Sequence, residues 1–143
     1  MNKLSRVISV IIIFGLFTGS VMPAIGQEQL TPASTGITER VSVADDGTEG
    51  NSSSGLQSIS ADGRFVAFGS MASNLVEGDT NETFDFFVRD RQAGTTVRVS
   101  VASDGTQSDT EYTEHLTNTS ITPDGHFVVF GSFATNLVAN DNN

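Results

Sequence analysis

Cysteine is absent from this sequence of 143 residues, which excludes both a disulfide framework and a thiolate metal site. Lysine is absent after residue 26, where five arginines stand against all seventeen acidic residues and leave a charge of −12. Such an acidic surface repels phosphate backbones, so no nucleic-acid partner is expected. Helical periodicity is also absent after residue 27, whereas the residues that favour turns and short strands are abundant. The sequence therefore predicts an all-β fold.

The first 26 residues have the pattern of a secretory signal peptide. Lys3 and Arg6 form a positively charged start, and Val7–Phe17 is an apolar core of about eleven residues. Small residues at the end of the segment suit cleavage before Gln27. An uncleaved anchor is the alternative, but the apolar core is shorter than the ~20 residues that a membrane span needs. We expect an exported chain, periplasmic, secreted or held at the cell surface, without a stable membrane span after cleavage.

The rest of the chain divides into a short linker and a repeated region. Residues 27–37 contain a proline and small residues without an apolar period, so they are predicted to form a flexible linker. Residues 38–143 contain two pairs of echoing segments and are predicted to form one repetitive domain.

The two echoes have different spacings. ISADGRFVAFGSMASNLVEGDTN (59–81) returns as ITPDGHFVVFGSFATNLVANDNN (121–143), with fourteen of 23 positions identical. RVSVADDGTE (40–49) returns as RVSVASDGTQ (98–107), with eight of ten positions identical. Self-similarity with a period of about 60 residues is typical of a stacked or radial array.

One repeat divides into four predicted strands, which are Leu56–Ser60, Arg64–Ser70, Phe84–Asp90 and Thr95–Val101. The second and third are nearly continuous apolar runs, which indicates burial on both faces. The fourth alternates valine with polar residues, which predicts that one of its faces is solvated. Asp62-Gly63, and Asp124-Gly125 in the second repeat, are pairs of the kind that forms the two-residue turn of a tight hairpin.

Four antiparallel strands with the middle pair most buried form the blade of a β-propeller. The sequence contains one such blade, the first half of another, and a leading strand at Thr38–Val43 that matches the outermost strand of a blade. The predicted fold is therefore an incomplete ring of about one and a half four-stranded antiparallel blades after an N-terminal signal helix. A different repetitive β array is the alternative.

The segments ISADGRFVAFGS and ITPDGHFVVFGS, followed by DFFVRD and TTVRVSV, resemble the repeats of the TolB-type, WD-repeat-like β-propellers of bacteria. The resemblance covers residues 38–143 and implies the propeller fold, but it says little about function because such propellers serve many purposes. The loop MASNLVEGDTNETF is longer than in the simplest members. The chain is therefore more similar to a longer-loop subgroup found in large secreted bacterial proteins.

Propellers close with about four to eight blades, and about three or more repeats must be in contact for the array to be stable. The sequence ends inside the loop that begins at Met71 in the first repeat. We therefore expect an N-terminal fragment, in which further blades or an oligomer are needed to cover the blade faces.

The segment GDTNETFD contains the candidate metal ligands, which are Asp79, Asn81, Thr83 and Asp85. Oxygen-bearing side chains at alternate positions can surround a calcium ion. Turn formation is the alternative explanation, and the glycine and glutamate of a helix–loop–helix calcium loop are missing. Calcium is the only cofactor that the sequence predicts.

The sequence contains no G-x-S-x-G, H-E-x-x-H or phosphate-binding glycine loop, so no catalytic residue is predicted. The predicted function is a non-enzymatic scaffold that binds a protein or a glycan through its long loops, Met71–Thr83 and Gln107–Thr117. The alternative is the propeller portion of a larger secreted serine hydrolase or peptidase, as in the prolyl-oligopeptidase group, with a catalytic domain outside this chain.

Overall fold

A computed structural model describes residues 36–109 and 119–141. The described residues from Val41 onward belong to one compact unit. All regular secondary structure in these ranges is β-strand, which confirms the all-β prediction for this part of the chain. None of these residues forms a helix long and apolar enough to cross a membrane. The predicted signal peptide lies outside the described residues.

The first sheet is a meander of four antiparallel strands in chain order. Its strands are β1 (Ser54–Ile59), β2 (Phe65–Ser70), β3 (Asp85–Asp90) and β4 (Thr95–Arg98). β2 and β3 are the most buried strands, because five of the six residues of β2 and four of the six of β3 are buried. The prediction of four antiparallel strands with a buried central pair is confirmed.

Successive side chains of β2 and β3 point to opposite faces, and both faces are covered. On what we call the back face, the Phe68 and Phe87 rings stack with centroids 5.7 Å apart, and Leu75 of the following loop packs on them. On the front face, Ala67 pairs with Val88 across the two strands. Burial on both faces explains why the two strands are continuously apolar.

The turn between β1 and β2 is longer than the predicted two-residue turn. Ile59 pairs with Val66, and the Ser60 N–H donates to the Phe65 carbonyl at 2.9 Å. Gly63 has a positive φ of 72°, whereas a type I′ turn needs two such residues in succession. Asp62 instead accepts hydrogen bonds from the Ser60 hydroxyl and from a backbone N–H two residues later. Its side chain closes a wider loop, so the tight-turn prediction was wrong.

One face of β4 is solvated as predicted, but it is the side that carries Val97, which is 56% exposed. The polar side is buried, with Thr96 only 5% exposed and Ser100, just beyond the strand, 2% exposed. The Thr96 hydroxyl donates to the Val43 carbonyl at 2.6 Å, and the Ser100 hydroxyl donates to Asp85. Polar side chains tolerate this position because their hydrogen bonds are satisfied.

The predicted leading strand at Thr38–Val43 is not formed. Val43 makes only an isolated bridge with Glu49, and Val101 and Gln107 make the same bridge in the second repeat. No strand pair of the described ranges includes Thr38–Val43. The segment from Val43 to Glu49 instead folds into a tight turn.

The second sheet is shorter and packs on the front face of the first. It contains β5 (Ser120–Ile121) and β6 (Val128–Val129), which are antiparallel. Ile121 packs against Ala67, and the ring of Phe130 stacks on Phe86 with centroids 4.6 Å apart. This packing buries the front face of β2 and β3.

In each repeat, the segment that follows the shorter echo is in contact with the loop of the longer echo. The Asn51 N–H donates to Asn74 Oδ1 at 2.9 Å, and the Asp109 N–H donates to Asn136 Oδ1 at 3.2 Å. Each asparagine amide also donates to a backbone carbonyl two residues earlier than the first partner, at 2.9 and 2.7 Å. The four-residue difference between the echoes falls in the segment between them, so it does not disturb this contact.

Candidate functional site

Arg98 of β4 connects the long loop of the first repeat, Met71–Thr83, to the first sheet. The Arg98 Nη1 atom lies 3.0 Å from Asp79 Oδ1 and 3.5 Å from Asp85 Oδ2, and it donates to Gln107 Oε1 at 2.8 Å. All three charged side chains are at least nine-tenths buried. The single positive charge of the guanidinium therefore offsets part of the repulsion between two carboxylates that lie in a poorly solvated place.

Asp79 retains an electrostatic cost in spite of this ion pair. Burial raises the pKa of its carboxyl, and the charge of Asp85 raises it further, while Arg98 acts in the opposite direction. Asp85 accepts the Ser100 hydroxyl, which in turn accepts the Phe86 N–H at 3.0 Å. The network joins the end of the loop to the segment after β4, so it positions the loop relative to the sheet.

The other two predicted calcium ligands lie beside this network. Asn81 donates from Nδ2 to the Ser108 carbonyl at 3.2 Å. Its Oδ1 atom and the Thr83 hydroxyl are buried without a hydrogen-bond partner. Such atoms are oxygen donors of the kind that calcium prefers. However, Arg98 already supplies positive charge between the two carboxylates, and no group of three or more His, Cys, Asp or Glu suited to a metal occurs within residues 36–109 and 119–141. The calcium site stays a prediction.

A groove of about 470 Å³ lies between the turn at residues 44–48 and the loop at residues 74–77. Its lining includes Asp45, Asp46 and Glu77 together with the apolar Leu75 and Val76. The groove therefore combines carboxylates with apolar surface.

The sheet holds the walls of this groove in place. Asp45 Oδ1 accepts the Thr96 N–H of β4 at 2.7 Å, and Asp46 Oδ1 accepts the Thr48 N–H at 2.8 Å. The Thr48 hydrogen bonds lower the pKa of Asp46, so this carboxylate remains charged well below neutral pH. From the other side, Asn74 ties the loop to the turn. The groove is thus a preformed anionic site on a rigid frame.

Sequence reasoning missed this groove. Asp45 and Asp46 lie in one turn, but Glu77 lies about thirty residues away along the chain, and no local pattern links it to them. The signal that could have found it is the pairing of the two echoes, since each repeat keeps both DGT and NLV segments. Segments retained together in both repeats are candidates for spatial contact.

His126 follows the turn of the second repeat, where Arg64 stands in the first. Its Nδ1 atom lies 3.1 Å from Asp124 Oδ2, and both side chains are exposed. The Thr122 hydroxyl, with the His126 N–H and side chain, lowers the pKa of Asp124 to about 2. This is the chemistry of a surface turn.

The second predicted recognition loop, Gln107–Thr117, is described only as far as Asp109. Gln107 Nε2 donates to the Gly78 carbonyl at 2.9 Å and to the Thr80 hydroxyl at 3.0 Å, so the start of this loop contacts the long loop of the first repeat. The remainder lies outside the described residues.

Comparison with known proteins identifies no relative: no family model, no curated protein and no solved structure matches the chain. The resemblance to TolB-type propellers therefore rests on the residues of the repeats alone.

Proposed function

We propose that this chain is an exported, non-enzymatic binding scaffold built from β-propeller repeats, and that the groove at residues 44–48 and 74–77 binds a cationic segment of a protein partner. The scaffold part of the proposal is supported by the way the two sheets pack. Phe130 corresponds to Phe68 of the back face, and it stacks on Phe86 of the front face. Front-to-back packing of successive units is the arrangement of a radial or stacked array.

The observation that carries the binding part is the chemistry of the groove. Lys and Arg side chains have apolar stems and cationic ends, so they match a surface that combines the partly exposed Val76 with three carboxylates. Because the protein carries no lysine after residue 26 and a charge of −12 there, long-range attraction also favours a basic partner. A neutral glycan gains nothing from this charge.

The test uses a fluorescein-labelled peptide, Lys-Gly-Leu-Lys-Gly-Leu-Lys, and measures its fluorescence anisotropy with the full chain. We expect saturable binding that weakens as salt is raised, because ion pairs at an open groove are screened. The substitutions Asp45→Asn and Glu77→Gln together should weaken binding about fivefold or more. Asn at position 45 can still accept the Thr96 N–H, so the wall should remain intact.

The matched control is Glu82→Gln, which removes one exposed carboxylate of the same loop region that is not among the groove residues. It should leave binding almost unchanged. Equal affinity for all variants would contradict the groove as the binding site. Binding of maltohexaose in place of the peptide would show that the partner is a glycan.

A further inference from the structure

The loop side of the acidic groove ends at Glu77, and the segment that follows directly is bound by Gln107 of the second repeat. The Gln107 Nε2 atom donates to the Gly78 carbonyl at 2.9 Å and to the Thr80 hydroxyl at 3.0 Å. Its Oε1 atom accepts the Thr80 N–H at 3.1 Å. Three hydrogen bonds therefore connect this one side chain to the backbone and side chain of the loop just beyond the groove.

Arg98 fixes the way in which the Gln107 amide is turned. The Arg98 Nη1 atom donates to Gln107 Oε1 at 2.8 Å, and Arg98 is itself held by Asp79 at 3.0 Å. A guanidinium has only donors, so the amide oxygen must face it and the NH₂ group must face the Gly78 carbonyl. A carboxylate at position 107 would have no hydrogen to donate to that carbonyl. The contact with the loop therefore needs an amide.

The first repeat shows that the turn before Gln107 does not need this amide. Glu49 stands where Gln107 stands, and the two residues make the same isolated bridge, to Val43 and to Val101. A hydrogen bond between the first and the last of the five preceding residues closes each turn, at 2.8 Å in the first repeat and 2.9 Å in the second. Glutamate and glutamine serve the turn equally, so the Gln107 amide is available to the neighbouring loop.

The part of the loop that lines the groove lies between two fixed points. At its start Leu75 is buried in the core and only 1% exposed, and at its end Gly78 is held by Gln107. Gly78 has a positive φ of 74°, so the chain changes direction immediately after Glu77. The position of Gly78 therefore determines where the exposed Glu77 carboxylate is presented.

We propose that Gln107 is a positioning residue for the acidic groove: by holding Gly78 and Thr80, it keeps the Glu77 carboxylate across the groove from Asp45 and Asp46. This role rests on the proposed function of the groove as the site of a cationic segment. A carboxylate that is already in place binds a cation without the entropic cost of ordering the loop.

The experiment repeats the peptide titration with two substitutions of Gln107. Gln107→Glu adds a carboxylate near an anionic groove, so charge alone would strengthen the binding of Lys-Gly-Leu-Lys-Gly-Leu-Lys. Positioning predicts the opposite sign, and we expect binding to weaken about threefold or more because the hydrogen bond to Gly78 is lost. Gln107→Met, which is neutral and similar in size, should weaken binding to a similar extent. Unchanged or tighter binding by either variant would overturn the proposal.

A double substitution tests whether Gln107 acts through Glu77. In a Glu77→Gln background, Gln107→Met should have little further effect, because the carboxylate that Gln107 positions is already absent. A further loss as large as that in the wild-type background would show a general destabilisation, and the positioning role would be wrong. Gln92→Met makes the same change at an exposed glutamine of the β3–β4 turn. This matched control should leave the affinity unchanged.

Amide hydrogen exchange of Thr80 separates this proposal from the proposed function. The Thr80 N–H donates to Gln107, so Gln107→Met should speed its exchange about tenfold or more, with or without the peptide. Faster exchange with unchanged peptide affinity would refute the positioning role and leave the groove as the binding site. Faster exchange in a protein that binds no peptide even as wild type would instead refute the groove as a cation site. Unchanged exchange would show that Gln107 does not hold the loop.

Discussion

The two repeats carry nearly the same sequence but differ sharply in burial. In the first repeat β2 lies inside a four-stranded sheet, with Leu75 on one face and Ile121 on the other. In the second, β6 has one neighbouring strand among the described residues, and Phe127 and Val129 are 69% and 68% exposed. The burial of a strand therefore depends on which segments pack against it. The apolar pattern of its sequence shows only that it can be buried.

The loops, in contrast to the strands, make the same hydrogen bonds in both repeats. The Asn51–Asn74 and Asp109–Asn136 contacts have the same geometry although the second sheet is incomplete in the described residues. These contacts are hydrogen bonds between segments that lie 23 and 27 residues apart in the chain. The polar contacts of the loops are thus the same in both repeats, although the burial of the strands differs.

The largest difference between the repeats should come from a charge placed at equivalent positions. Ala67→Asp puts a carboxylate at a completely buried position without a partner, and we expect it to prevent folding or to cost about 4 kcal/mol or more. Val129→Asp places the same group at an exposed position and should change the free energy of unfolding by less than about 0.5 kcal/mol. Chemical denaturation followed by circular dichroism measures both. Similar losses for the two variants would mean that β6 is covered in solution.

A smaller effect on stability should show whether Arg98 alone or also a calcium ion can balance the charges of Asp79 and Asp85. Arg98→Gln removes the charge between Asp79 and Asp85 and should lower the melting temperature, because two buried carboxylates lose their partner. If calcium uses these residues together with Asn81 and Thr83, millimolar calcium should raise the melting temperature of this variant by roughly 5 °C or more relative to chelator.

The wild-type protein should respond less to calcium than Arg98→Gln, since its guanidinium competes with the ion. Arg64→Gln serves as a matched control, because it removes an arginine from a more exposed ion pair, between the turn before β2 and the end of β3. The absence of any calcium-dependent shift in all three proteins would refute the calcium site.

The smallest effect should come from exchanging the residue that differs after the turn. Arg64 binds Asp90 with Nη2–Oδ2 at 2.6 Å and, with the Ala93 and Gln92 N–H groups, lowers the pKa of Asp90 to about 2. A lowered pKa contributes stability at pH values above the unfolded pKa of 3.8, and this contribution is lost as the pH falls towards 2. Arg64→His, which installs the residue of the second repeat, should move the pKa of Asp90 upward but keep it below 3.8, because the backbone donors remain.

Carbon-13 NMR titration of the Asp90 carboxyl measures that change directly. Asp124 in the same spectrum is the internal control, since it accepts its hydrogen bonds from Thr122 and His126 and should remain at about 2. A pKa of Asp90 that does not respond to the substitution would show that the backbone donors alone hold it down.

Much of the first sheet could be predicted because it depends on short-range patterns. The apolar runs at Phe65–Ser70 and Asp85–Asp90 fall on β2 and β3 within one residue of the predicted bounds. The prediction for Thr38–Val43 was wrong because a strand needs a partner, and the pattern of a segment cannot show whether one is present. The side of β4 that faces solvent could not be predicted either, since Thr96 and Ser100 are buried only through hydrogen bonds to distant residues.

The candidate sites divide in the same way. The ligands proposed for calcium lie within one segment of seven residues, Asp79–Asp85, so their proximity could be anticipated. Arg98 was not anticipated as their partner, because a strand and a turn separate it from them. The acidic groove likewise joins two segments about thirty residues apart.

By itself the sequence determined the all-β class, the repeat and the strands of the first sheet, because alternation, apolar runs and turn residues act over a few neighbouring positions. Only the tertiary structure decided which faces are covered, where the carboxylates converge and which edge is left without a neighbour among the described residues. Those outcomes depend on contacts between segments far apart in the chain, and the free energy of burial belongs to such contacts and not to a residue alone.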